Sequence, residues 1–221
     1  MGDQQPVKRI TLTFDNGPDH SVTHHVLDVL AARGVHATFF VIGSKLESPD
    51  AWTVATRAHA EGHWIGNHTY SHDTPLGDIF DQPDIAEKEI GRTQNLLKPL
   101  AHPDRLFRPF GGGGQLNQQL LNRRCYDYLC ANGYTCILWN AVPRDWEHPD
   151  GWAERALAEL RIRAWTLLVL HDIDTGAMRH LEYFLDRLLE MEVEIRQDFP
   201  SDCVPMVRGR TAQSMDQYIS S

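Results

Sequence analysis

The chain lacks the marks of several large functional classes. Lys and Arg total 21 against 30 Asp and Glu, a formal net charge of −9. No basic stripe appears, which argues against a nucleic-acid binder. An anionic polymer would be repelled on approach, so a neutral or cationic substrate is favoured. The four cysteines, Cys125, Cys130, Cys136 and Cys203, form neither a CxxC pair nor a disulfide ladder, and we expect free thiols. No apolar run is long enough to span a bilayer. The opening Met1-Gly2-Asp3-Gln4-Gln5-Pro6 is polar and has no apolar core of a signal peptide. It also fits a myristoylation signal poorly. From these absences we expect a cytoplasmic chain. Gly111-Gly112-Gly113-Gly114 lacks the closing Lys-Ser/Thr of a phosphate loop, which argues against nucleotide binding.

What is present is ordinary for one globular domain: 221 residues, 42% hydrophobic and 23% charged. Strand-length apolar runs are Ile10–Phe14, Ala37–Ile42, His63–Asn67, Arg105–Phe107, Tyr134–Trp139 and Thr166–Leu170. Between them lie helical stripes. Val22 to Leu30 ends at Gly34, and Ile85 to Leu97 ends before Pro99. Leu116, Leu120 and Leu121 continue toward Leu129, with Gly133 as a cap. Trp152 to Leu160 and Leu181 to Leu189 follow. The alternation predicts an α/β fold with a parallel sheet or barrel. Residues 1–9 and 201–221 read as tails around one domain over 10–200, although Cys203–Val207 could form a last strand.

Polar groups recur at the C-terminal ends of the expected strands: Asp15 and Asn16, His68 and His72, Arg108, Asp145 and Trp146, His171 and Asp172. In a parallel α/β barrel such positions converge on one rim. Four residues apart, His68 and His72 would present two imidazoles on one side of a helical turn, with Asn16 as a third, oxygen ligand. His20 and His24 share that spacing and read as solvated helix-end residues. His171 could be a general acid near neutral pH, and Asp15 its partnering base. The glycines after Phe110 would let backbone N–H groups approach a substrate.

In this order the residues resemble the polysaccharide deacetylase family, also called the NodB-homology domain or carbohydrate esterase family 4. Thr13–Pro18, His68–His72, Arg108–Gly111, Asp145-Trp146 with Trp139 upstream, and Leu170–Asp172 resemble its five motifs. The resemblance implies a distorted, incomplete (β/α) barrel of about seven strands. It also implies a divalent metal, usually zinc and in some members cobalt, nickel or manganese. By position, Asp15 would be the base, His171 the acid, Arg108 and Asp145 their tuning partners, and Asn16, His68 and His72 the metal ligands. Phe110, Gly111, Trp139 and Trp146 would line the substrate pocket.

Most of the family has Asp-Asp where this chain has Asp15-Asn16. Asn can ligate through its carbonyl oxygen but brings no charge, so affinity for hard cations should fall. Motif three runs into four glycines, and Asn140 stands where Asp is common. We therefore expect a metal-dependent hydrolase removing an acyl group, foremost N-acetyl, from a small or oligomeric sugar or related amine. The alternatives are hydrolysis of a non-carbohydrate C–N bond, such as a cyclic amide, and a sugar-binding member without activity. The loops around 73–83 and 144–151 are candidates for lids or for contacts between subunits of a homo-oligomer.

Overall fold

The computed structural model describes residues 7–220. The strands are β1 (Arg9–Asp15), β2 (Thr38–Val41), β3 (Trp64–Asn67), β4 (Leu106–Phe107), β5 (Leu121–Asn122), β6 (Thr135–Cys136), β7 (Trp165–His171), β8 (Glu194–Arg196), β9 (Met206–Val207), β10 (Arg210–Thr211) and β11 (Ile219–Ser220). The α-helices are α1 (His20–Ala31), α2 (Pro49–Ala60), α3 (Arg92–Leu97), α4 (Arg123–Ala131), α5 (Trp152–Ile162) and α6 (Leu181–Glu190).

One curled sheet organises the molecule. Seven strands, β6-β4-β3-β2-β1-β7 with β8 also on β1, run parallel, in line with the expected incomplete barrel. β1 lies in the middle. It pairs along its whole length with β7; its other edge is shared, Thr13–Asp15 taking β2 and Arg9–Thr11 taking β8. Its core positions Ile10, Leu12 and Phe14 are fully buried, and Thr11 and Thr13 on the other face are buried too. Such burial on both faces is characteristic of parallel strands. The ring nearly closes where Ala141 bridges Leu168 of β7.

Several expectations need correction. The strand read over Tyr134–Trp139 is regular only at Thr135–Cys136, because the carbonyls of Ile137 and Leu138 turn toward the Arg108 guanidinium. The helix read from Leu116 starts only at Arg123. Leu121–Asn122 pairs with Ile219–Ser220 instead, and the Asn122 side chain accepts from the Cys125 N–H as the helix cap. Helix α2 was missed: its core side is small, Ala51, Val54, Ala55 and Ala58. Pro49 at its first position was the available signal. The stretch after Ser201 is not a loose polar tail. Cys203, Met206 and Met215 are buried, β9 runs antiparallel to β6, and β11 joins β5. The N-terminal tail lies outside the described residues as far as residue 6. All four cysteines are free thiols. Among the described residues no helix is long and apolar enough to cross a membrane.

Candidate active site

The C-terminal ends of the parallel strands meet around a cavity of about 250 Å³. Asp15, Asn16, His68, His72, Phe110, Gly111, Trp139, Trp146 and His171 line it, with Pro109, Gly113, Gly114, Val142, Val169 and Ile173. Arg108 and Asp145 lie behind this wall, both fully buried. The structure thus brings all eleven expected residues together. Val142, Val169 and Ile173 had no sequence signal beyond being apolar. His20 and His24 do not line the cavity. Asn140 does not either; its amide bonds the Trp165 carbonyl and the Leu167 N–H.

Asp15 ends β1 and His171 ends β7, and the two are paired across the strands. Asp15 Oδ1 accepts from Arg108 Nη1 at 2.8 Å, leaving Oδ2 toward the cavity, 3.7 Å from His68 Nε2. The guanidinium is held by three further acceptors: Thr13 Oγ1 at 2.7 Å and the Ile137 and Leu138 carbonyls at 3.3 Å. Phe40 packs under it, 4.1 Å from ring centroid to Cζ.

Asp145 spends both oxygens on His171. Oδ1 accepts from the ring Nδ1–H and Oδ2 from the backbone N–H, each at 2.9 Å. This fixes the ring and leaves Nε2 for the cavity. Burial would lower the imidazole's proton affinity. The hydrogen bond and charge of Asp145, with Asp15 and Asp172, outweigh burial and hold it above its ordinary value of 6.5. Trp146 stands edge-on to the ring at 4.7 Å.

His68 Nδ1 faces the Arg108 carbonyl at 2.8 Å. A carbonyl only accepts, so Nδ1 carries the proton and Nε2 keeps its lone pair. His72 lies with its ring centroid 4.9 Å from that of His68, and Phe110 stacks on it at 3.8 Å. The pair is not on a helical turn as its spacing suggested. Thr69 and His72 both have left-handed backbone, φ 68° and 57°, in an irregular loop. Burial pushes both imidazoles down to about 3, so both are neutral.

Asn16 is also left-handed, φ 70°, and its buried Oδ1 has no hydrogen-bond partner. An orphaned buried carbonyl oxygen beside two neutral imidazoles suits a borderline divalent cation. Among the described residues no group of three His, Cys, Asp or Glu side chains is placed to hold a metal ion.

Asp172, named from its strand-end position, points away from the cavity. It is fully buried, accepts from Thr23 Oγ1 at 2.5 Å, and is pushed up to about 7 by burial. A Cβ on Gly17 would fall 2.1 Å from its Oδ2, so only glycine fits there.

These histidines set a pH dependence of stability. Burial pushes His63 down to about 4, joining His68 and His72 at about 3. Each is neutral in the fold and charged in the unfolded chain between its folded value and 6.5, so stability falls as pH falls through that window. Asp172 opposes them. Raised to about 7 from 3.8, it holds a proton that the unfolded chain releases, and stability gains as pH falls. Near pH 5.5 the three histidines outweigh Asp172, so unfolding takes up protons and stability falls as pH falls from 6 to 5. Urea unfolding of metal-free protein at pH 6.0 and 5.0 checks this; equal stabilities would contradict it.

A family model described as polysaccharide deacetylase matches residues 2–129. The chain is 35% identical over 168 residues to a chitooligosaccharide deacetylase of Rhizobium leguminosarum bv. trifolii, covering 75% of this chain and 72% of that protein. It is 33% identical over 148 residues to a peptidoglycan-N-acetylmuramic acid deacetylase of Bacillus subtilis (strain 168), covering 63% of this chain and 27% of that protein. The solved structure of a peptidoglycan deacetylase from Bacillus subtilis superposes with a TM-score of 0.67 at 27% identity, over 86% of this chain and 87% of that one.

Proposed function

Because the chain belongs to the polysaccharide deacetylase family, we propose that it is a metal-dependent hydrolase that removes an acyl group, foremost N-acetyl, from a sugar or related amine. One observation carries the reading: a carboxylate backed by a buried cation and an imidazole backed by a buried anion face one cavity from paired strand ends. Environments that hold two titratable groups in opposite roles mark a base and an acid.

Asn16 Oδ1, His68 Nε2 and the His72 imidazole would hold the cation. When bound, it would supply Lewis acidity to the amide carbonyl and to the attacking water. The chain's own groups do the rest. Arg108 occupies Asp15 Oδ1, so Oδ2 is the oxygen that takes the water's proton. Asp145 occupies His171 Nδ1, so Nε2 is the atom that protonates the leaving nitrogen. That proton is necessary because an unprotonated amide nitrogen is a very poor leaving group. Trp139, Trp146, Val142 and Ile173 give the sugar or acyl group an apolar wall and keep bulk water out. The Trp139 indole N–H donates to the Gly114 carbonyl at 2.9 Å, which ties the glycine loop to that wall.

The test is acetate release by chelated protein from N- and O-acetylated sugars, with and without zinc, cobalt, nickel or manganese. We expect metal-dependent release from N-acetylated sugars. Ring opening of small cyclic amides, followed separately as newly formed free amine, with no acetate released from any sugar, would move the substrate outside carbohydrates. No release with any metal would overturn the reading.

A further inference from the structure

We infer that Glu89 is a positioning residue that holds His72 in place for metal binding, an inference that rests on the metal reading above. The backbone N–H groups of Tyr70 and Ser71 both donate to one carboxylate oxygen, Glu89 Oε2, at 3.0 and 2.9 Å. They point together because the loop bends through left-handed Thr69 before them and left-handed His72 after them. Successive N–H groups arranged this way form a small concave site for an anion. Here the anion is supplied by the chain itself, 18 residues beyond Ser71.

Glu89 comes from a widened π turn, Glu87–Gly91, just ahead of α3. Such turns are rare and occur often at functional sites. This one is fastened to the same loop a second time. Asn67, fully buried at the end of β3, donates from Nδ2 to the Ile90 carbonyl at 2.9 Å and accepts from the Thr69 N–H at 3.0 Å. Thr93 Oγ1 donates to the Glu89 carbonyl at 3.0 Å. On the far side, the Gly43 and Ser44 N–H groups donate to the Thr69 and Tyr70 carbonyls, each at 2.9 Å.

The two histidines depend on this fastening unequally. His68 directly follows β3, and its ring is fixed by the Arg108 carbonyl. His72 lies three residues past the left-handed bend at Thr69, so its placement follows the loop. Removing the carboxylate leaves two parallel N–H donors without their acceptor, releases the loop between Thr69 and His72, and spares His68. The effect should therefore fall on metal affinity, with the chemical groups on β1 and β7 untouched.

The experiment titrates chelated wild type, Glu89→Ala and Glu89→Gln with zinc against a chromophoric chelator. The visible spectra of the cobalt forms and the unfolding temperatures of all three are recorded as well. We expect Glu89→Ala to bind zinc about 10- to 100-fold more weakly, the usual effect of losing a group that orients a ligand. Its cobalt bands should change, and its turnover should recover to within a few fold of wild type at saturating zinc. Glu89→Gln keeps an acceptor oxygen and should regain most of the affinity. Zinc affinity within twofold of wild type in Glu89→Ala, with an unchanged cobalt spectrum, would overturn the inference. Equal loss in both variants, in step with lowered unfolding temperature, would also overturn it, by making Glu89 a general stability residue. Wild type that binds no zinc would remove the metal reading, and this inference with it. Zinc bound alike by wild type and Glu89→Ala removes this inference alone.

Discussion

Asp15→Asn is expected to lower turnover by about 10²- to 10⁴-fold, the usual contribution of a positioned base. Asn has nearly the same shape and can still accept from Arg108 Nη1, but it cannot take a proton from water. The substitution also removes the carboxylate from a fully buried guanidinium. Breaking a buried ion pair typically costs about 3–5 kcal/mol. The cost here should lie toward the low end, since Thr13 Oγ1 and the Ile137 and Leu138 carbonyls still receive the other N–H groups. Two readouts separate the effects: single-turnover rate at saturating metal, and urea unfolding. A folded variant with a rate within tenfold of wild type would show that Asp15 is not the base.

The second large effect is expected from Asp145→Asn. Asp145 uses both oxygens as acceptors for two N–H donors of His171, the ring Nδ1–H and the backbone N–H. Asn has one acceptor and one donor. Whichever way the amide turns, one of these contacts becomes donor against donor. Either the backbone contact is lost, or the neutral ring changes tautomer so that Nδ1 accepts. Loss of the anion also removes the main influence raising the imidazole against burial. Less imidazolium is then present at neutral pH. The alkaline limb of the rate profile should move to lower pH, and turnover at pH 7 should fall by about 10²-fold or more. A profile with an unshifted alkaline limb would show that His171 does not deliver the proton.

Much of the site was legible because it sits at strand ends. An apolar run followed at once by Asp15, or by His171, places a polar group on the rim of a parallel sheet whatever the helices do. What failed to show was anything fixed by a partner distant in sequence. The non-helical loop from His68 to His72 depends on Glu89, and nothing in the five letters His-Thr-Tyr-Ser-His reveals that carboxylate. The short regular part of β6 depends on carbonyls turning toward Arg108, almost thirty residues earlier. Residues 201–220 looked polar because the buried Cys203, Pro205, Met206 and Met215, with Val204, Tyr218 and Ile219 packed beside the core, are spaced without a strand or helix period. Helix α2 was missed because alanine packs as well as leucine where two elements lie close, yet leaves no apolar stripe.

The register between β1 and β7 has an implication for how this molecule can change over time. Seven consecutive residue pairs, Arg9 with Trp165 through Asp15 with His171, act as a ruler for the separation of the two groups we propose as base and acid. The other walls of the cavity come from elsewhere, from the glycine loop after Phe110, from Val142 and Trp146, and from Ile173. Insertions and substitutions in those loops can reshape what enters the cavity without resetting the ruler. New substrates are therefore reachable by loop exchange alone, whereas a single-residue slip of β1 against β7 would turn Asp15 to the opposite face of the sheet and abolish the chemistry in one step.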